Sequence, residues 1–180
     1  MDINLLIELA DVNYSGAPFL IAYGLTWIVC GILWNKLNVS FAAIATLFQG
    51  LIALPIALFI MYTIGAFANR PDTGELNKLV IIIAMSQLLA LPLLIAMFRK
   101  QHYSLIPIIF STVGAVHFLM YTWLYQTVSY IIMPILIVIS TTVVYFNNCD
   151  DNGFSTFGAS KVCTITGVIL LINAAYLIFL

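Results

Sequence analysis

From Ser104 to Tyr125 the chain carries no aspartate, glutamate, lysine or arginine. A run of that length crosses a bilayer, because a helical span needs about 20 mostly apolar residues. Five further runs meet the same test, so the expected spans are 17–34, 41–67, 79–98, 104–125, 127–146 and 162–180. None of the six holds a formal charge. Hydrocarbon offers no water to unpaired peptide groups, which leaves helices and closed barrels as spanning structures. A barrel strand would alternate apolar and polar residues over about 10 positions, whereas these runs are longer and apolar throughout. The chain is therefore expected to be all-α: a polytopic transmembrane helix bundle forming one integral membrane domain over 1–180, with the lipid bilayer as its surroundings.

Composition agrees. Hydrophobic residues make up 63% and charged residues 7%, against about 25% charged in a soluble domain. The net charge of -1 provides no basic patch for nucleic acid. Cys30, Cys149 and Cys163 have neither CxxC nor His/Cys ligand spacing, so no metal site, redox motif or structural disulfide is expected. Nothing calls for a cofactor. The acidic, lysine-free start is unlike a cleaved signal peptide, and no lipidation motif is present.

At the N-terminus Ile3, Leu6, Ile7 and Ala10 recur near helical spacing, which predicts a short amphipathic helix lying at the membrane interface. Pro18 suits the first turn of span 1. Tyr23, Trp27, Cys30 and Trp34 then share one face, read as helix packing with Trp34 as an interfacial anchor; a ligand cage is the alternative. Ala45, Gln49, Ala53 and Ala57 form a ladder that lets two helices approach closely. Pro55, Pro92 and Pro134 lie inside spans and predict kinks. Pro71–Asp72 and Thr73–Gly74 are turn chemistry in the polar loop 68–78. Gln126 and Thr127 make a tight turn, and 147–161 reads as a polar connector. Lys36, Arg99, Lys100 and Lys161 fall on one side, and Arg70 and Lys78 on the other. By the positive-inside rule the first side is cytoplasmic, with both termini outside.

Gln49-Gly-Leu-Ile-Ala-Leu-Pro55 and Gln87-Leu-Leu-Ala-Leu-Pro92 repeat one pattern in adjacent spans. Common residues can produce such a match by chance; the alternative is an inverted repeat of the transporter type. Each polar group inside a span needs a partner. The candidates for an intramembrane polar cluster or pocket are Gln49, Gln87, His117, Tyr121, Tyr125 and Asn173, with hydroxyls such as Ser86. Gly114, His117, Tyr121 and Tyr125 share a helix face. His117 is either a proton-handling or ligand-binding residue, or interhelical glue bonded to Gln87, Gln49 or Tyr121. No Ser-His-Asp set, HExxH or glycine-rich phosphate loop is present, so no catalytic residue is assigned and an enzyme is not expected.

The runs Gln87-Leu-Leu-Ala-Leu-Pro92 and His117-Phe-Leu-Met-Tyr121-Thr-Trp123-Leu-Tyr125 resemble a family of small uncharacterised multipass bacterial membrane proteins. The resemblance covers spans 3 to 5 and implies a bacterial plasma membrane, but no activity. Three functions remain open. The first is a polar pocket between spans 2, 3 and 4 that binds or passes a small neutral or weakly basic solute. The second is a structural or accessory subunit, with a homo-oligomer compatible with either. The third is a lipid-acting enzyme using His117 as base. A cavity at His117 larger than one water would favour the first.

Overall fold

The computed structural model describes residues 3–71, 76–151 and 153–179. Among the described residues six helical runs are long and apolar enough to cross a membrane: Tyr14–Lys36, Val39–Thr63, Lys78–Arg99, Tyr103–Tyr125, Ser129–Asn148 and Thr156–Ile178. The protein is an all-α multi-pass membrane protein. Its outer surface is apolar, with Phe59, Leu89, Phe146 and Ile172 exposed, which lipid tolerates and water would not.

Local chemistry sets the helix ends. Helix α1 spans Ile3–Val12. The Asn13 side chain then accepts from the Gly16 amide at 3.0 Å, closing the turn before α2, Ala17–Lys36. Asn38 caps α3, Val39–Phe48, and α4, Gly50–Thr63, follows across the single residue Gln49. Gly65 ends that span in the left-handed conformation. It donates to the Tyr62 carbonyl while the Ala66 amide reaches Met61, a pattern that satisfies two terminal carbonyls. The chain is therefore in turns by residue 64, ahead of the expected end at 67. Next come α5, Leu76–Ser86, and α6, Leu91–Arg99, joined by the 3-10 turn Gln87–Ala90. Helix α7, Ile106–Tyr125, meets α8, Ser129–Asn148, through Gln126 in a left-handed conformation. The turn expected at Thr73–Gly74 lies outside the described residues.

The last connector is shorter than expected. Strands β1, Cys149–Asp150, and β2, Gly153–Phe154, pair as a hairpin. Helix α9 then runs Thr156–Ile178 and starts upstream of 162, because the Ser155 hydroxyl accepts from the Gly158 amide at 3.0 Å. A polar stretch that reads as loop is thus a helix cap and first turn.

Helices α2 and α9 pack antiparallel along small residues: Gly24 faces Gly167 and Leu171, and Gly31 faces Ser160. The Ser160 hydroxyl donates to the Gly31 carbonyl at 2.8 Å. This pairing puts Lys36 and Lys161 at the same end of the bundle. On the other flank of α2, Ala22 packs with Ala53 and Ala57 of α4, as the ladder predicts. Trp34 is buried and donates to Thr46 at 3.0 Å, so it belongs to the core and is not an interfacial anchor. The apolar face of α1 is likewise taken up by protein, since Leu6 and Leu9 pack on Leu124 of α7 and against Leu79 and Val80 of α5.

The prolines differ in what the backbone does around them. Helix α8 runs on through Pro134, and α4 through Pro55. Pro134 lies in the second turn, where it orphans only the Tyr130 carbonyl. Pro92 does interrupt its span. It cannot bond the Leu88 carbonyl, and the Leu91 amide takes that carbonyl instead, in the 3-10 pattern.

Candidate functional site

His117 lies on α7 about 12 Å along the helix from its Tyr125 end, and it is buried. Its Nδ1 lies 3.1 Å from the Ser86 hydroxyl oxygen. That hydroxyl donates its one proton to the Ile83 carbonyl at 2.7 Å. The hydroxyl has one proton for two neighbours; when that proton goes to the Ile83 carbonyl, the oxygen accepts and Nδ1 carries the hydrogen. In a neutral imidazole so arranged, Nε2 is an acceptor. No described residue makes a hydrogen bond to Nε2.

His117 lines a cavity of about 450 Å³. One wall is aromatic: the rings of Tyr121, Tyr125 and Tyr130 are mutually 5.7–5.8 Å apart, and Tyr121 meets His117 edge-on at 5.1 Å. Hydrogen bonds tie this wall to the start of α2. The Tyr130 hydroxyl donates to the Ser15 carbonyl at 2.6 Å, and the Asn13 amide reaches the Tyr125 hydroxyl at 3.5 Å. Tyr23 of α2 and Gln87 add further polar groups, and none of the described lining residues is charged.

The opposite walls come from two proline-containing spans, Val39–Thr63 and Lys78–Arg99, in matching register. Leu47, Phe48, Gly50, Leu51 and Leu54 line the cavity from the first. Ala84, Met85, Gln87, Leu88 and Leu91 line it from the second. Each residue of the second set stands as far before Pro92 as its counterpart stands before Pro55. The spacing within a set is that of any helix face; the shared phase and depth relative to the proline are the finding. The two segments thus correspond by their prolines and not by their glutamines, so Gln49 matches Ser86 and Gln87 matches Gly50.

The family model for DUF7010, described as a family of unknown function, matches residues 4–178. The chain belongs to the DUF7010 family. Neither the curated proteins nor the solved structures include a match. The DUF7010 match takes in all six spans and every residue of the cavity.

Of the residues singled out in this DUF7010 sequence, Gln87, His117, Tyr121 and Tyr125 line the cavity together. Gln49 does not. It is buried at the junction of α3 and α4, with neither side-chain atom hydrogen-bonded. Asn173 is buried on α9 away from the cavity, and its Nδ2 has no partner. The partner of His117 is Ser86 and neither glutamine. Tyr130 and Ser86 carry no sequence signal beyond being polar groups inside spans.

The Ser86 contact makes a prediction. In His117→Phe the Ser86 hydroxyl keeps its Ile83 carbonyl, so no donor is orphaned. The unfolding temperature should then fall by no more than about 4 °C, the equivalent of about 1 kcal/mol. A fall three times as large in detergent would mean that His117 is chiefly interhelical glue.

Proposed function

We propose that this DUF7010 protein binds, and passes across the membrane, a small neutral or weakly basic solute held at His117, without catalysing a reaction. The observation that carries this reading is the cavity itself, far larger than one water, framed by two proline-containing spans in matching register, the second of them wound as 3-10 at Gln87–Ala90. Proline-interrupted segments at corresponding positions are a pointer to transporter binding sites. A neutral lining that includes the Nε2 acceptor of His117 suits a solute that brings a hydrogen-bond donor and no full charge.

A serine hydrolase would need its hydroxyl facing the cavity. Ser86 faces the wrong edge of the imidazole and gives its proton to Ile83. The proposal includes a bacterial plasma membrane, with the Lys36 and Lys161 end in the cytoplasm. Cys149 lies at that end, half-buried, while Cys30 and Cys163 are buried in spans. A membrane-impermeant maleimide added to intact cells should leave Cys149 unlabelled, and labelling without lysis would reverse the orientation.

Indole, a neutral N–H donor, is a suitable first probe. At a hundred times its Kd, it should stabilise the wild type by about 2.7 kcal/mol, or roughly 5–10 °C, and His117→Phe much less. Equal shifts in both proteins, or none in either, would count against a binding site at His117.

A further inference from the structure

Resting on that reading, we infer that the solute is a lipid-soluble amphiphile, with a neutral O–H or N–H head and a hydrocarbon body, that enters sideways from the bilayer. The mouth of the cavity carries the first part. Phe48 and Leu51 on one lip are 57% and 73% exposed, and their register counterparts Met85 and Leu88 on the other are 55% and 42% exposed. These residues stand near the middle of the runs Val39–Thr63 and Lys78–Arg99. What lies outside an exposed leucine at that depth is acyl chain.

The ends of the bundle carry the second part. Towards the Tyr125 end, Phe19 and Tyr125 separate this cavity from a smaller one of about 130 Å³, and both side chains line both cavities. Tyr125 and Tyr130 are tied to Asn13 and Ser15. The aqueous end nearest Tyr125 is therefore closed by these rings, while the lipid side is open.

The lining carries the chemistry. With no charged residue on the described walls, a fixed charge would be desolvated without a counter-ion, which membrane interiors penalise. The aromatic and aliphatic walls take a hydrocarbon body, and the open Nε2 of His117 takes one donor. The volume is about three times the roughly 150 Å³ that encloses one benzene, so it accommodates about 18 non-hydrogen atoms.

Photolabelling of the full protein in lipid nanodiscs tests this with three diazirine probes: a long-chain alcohol, the matching alkane, and a small water-soluble amine. The expected result is alcohol label on cavity peptides bearing Tyr23 and Tyr121, about tenfold above the alkane, a difference that one hydrogen bond in hydrocarbon can supply. His117→Phe should bring the alcohol down to the alkane level. Equal labelling by alcohol and alkane, unchanged in His117→Phe, would overturn the head-group assignment. Cavity labelling by the amine alone would overturn entry from the bilayer while leaving a solute site in place. No cavity labelling by any probe would overturn both this inference and the binding reading beneath it.

Discussion

Gly167→Val should lower the unfolding temperature of the detergent-purified protein by roughly 6–12 °C, the effect of losing on the order of 3 kcal/mol in a chain of this size. A Cβ built at Gly167 would lie 2.6 Å from the carbonyl oxygen of Gly24 and 2.7 Å from Ile28. The first of these is backbone, so no side-chain rotation relieves the clash and the two helices must separate. Separation would also weaken the Ser160 bond to Gly31 on the same seam. Lipid supplies little hydrophobic force to push helices together, so close packing of small residues carries much of the association. Gly114→Ala is the control. A Cβ there meets nothing within 4 Å, so its unfolding temperature should match the wild type or exceed it by about 2–4 °C, alanine being the better helix former by about 1 kcal/mol. If both variants unfolded alike, the α2–α9 seam would not be the close contact described.

Gly50→Phe should abolish solute binding, weakening it at least a hundredfold, while leaving stability unchanged or higher. Gly50 lies in the first turn of α4 on the cavity wall. The nearest atom to its Cβ position is the Tyr23 hydroxyl at 3.4 Å, an ordinary contact, so a side chain there grows into the cavity beside Tyr23. Filling an empty space commonly stabilises a protein by about 0.5–2 kcal/mol. Replacing glycine inside a helix gains a further fraction of a kcal/mol. Loss of binding without loss of fold separates a ligand cavity from a packing defect. A Gly50→Phe protein that still gave the indole-induced rise in unfolding temperature would place binding elsewhere.

The spans were legible because hydrocarbon imposes a strict rule of length and polarity, and six charge-free runs satisfy it. The α2–α4 contact was legible in Ala53 and Ala57 for the same reason, since small residues at helical spacing have few other uses in lipid. Span ends were less so. Ser155 looks like one more loop residue until its hydroxyl is seen accepting the Gly158 amide, and Gly65 ends a helix whose sequence remains apolar to Phe67. The likeness of spans 2 and 3 was visible, but its register was not. Glutamine draws the eye, yet it is the proline, which removes one helix hydrogen bond in each span, that sets the common register.

The cavity itself could not be read from the sequence. Leu47 and Leu91 are chemically identical to leucines that face lipid, and a void depends on which helix faces fail to meet. The same holds for the partner of His117. Ser86 and Gln87 are adjacent in sequence, and only the 3-10 turn at Gln87 decides which of them faces the imidazole and which faces the cavity.

The central claim is that His117 holds Nε2 open as an acceptor inside the membrane. The chain has two histidines, and His102 is exposed at the end of its span, so His102→Asn leaves His117 as the single imidazole. Nitrogen-15 NMR of that variant in nanodiscs, labelled at histidine, reads both ring nitrogens directly. The account predicts a protonated Nδ1 and an unprotonated Nε2. On adding indole, and then a long-chain alcohol, the Nε2 resonance should move towards the protonated range while Nδ1 stays in place. A proton on Nε2 in the solute-free protein, or an Nε2 resonance that neither donor moves, would contradict it.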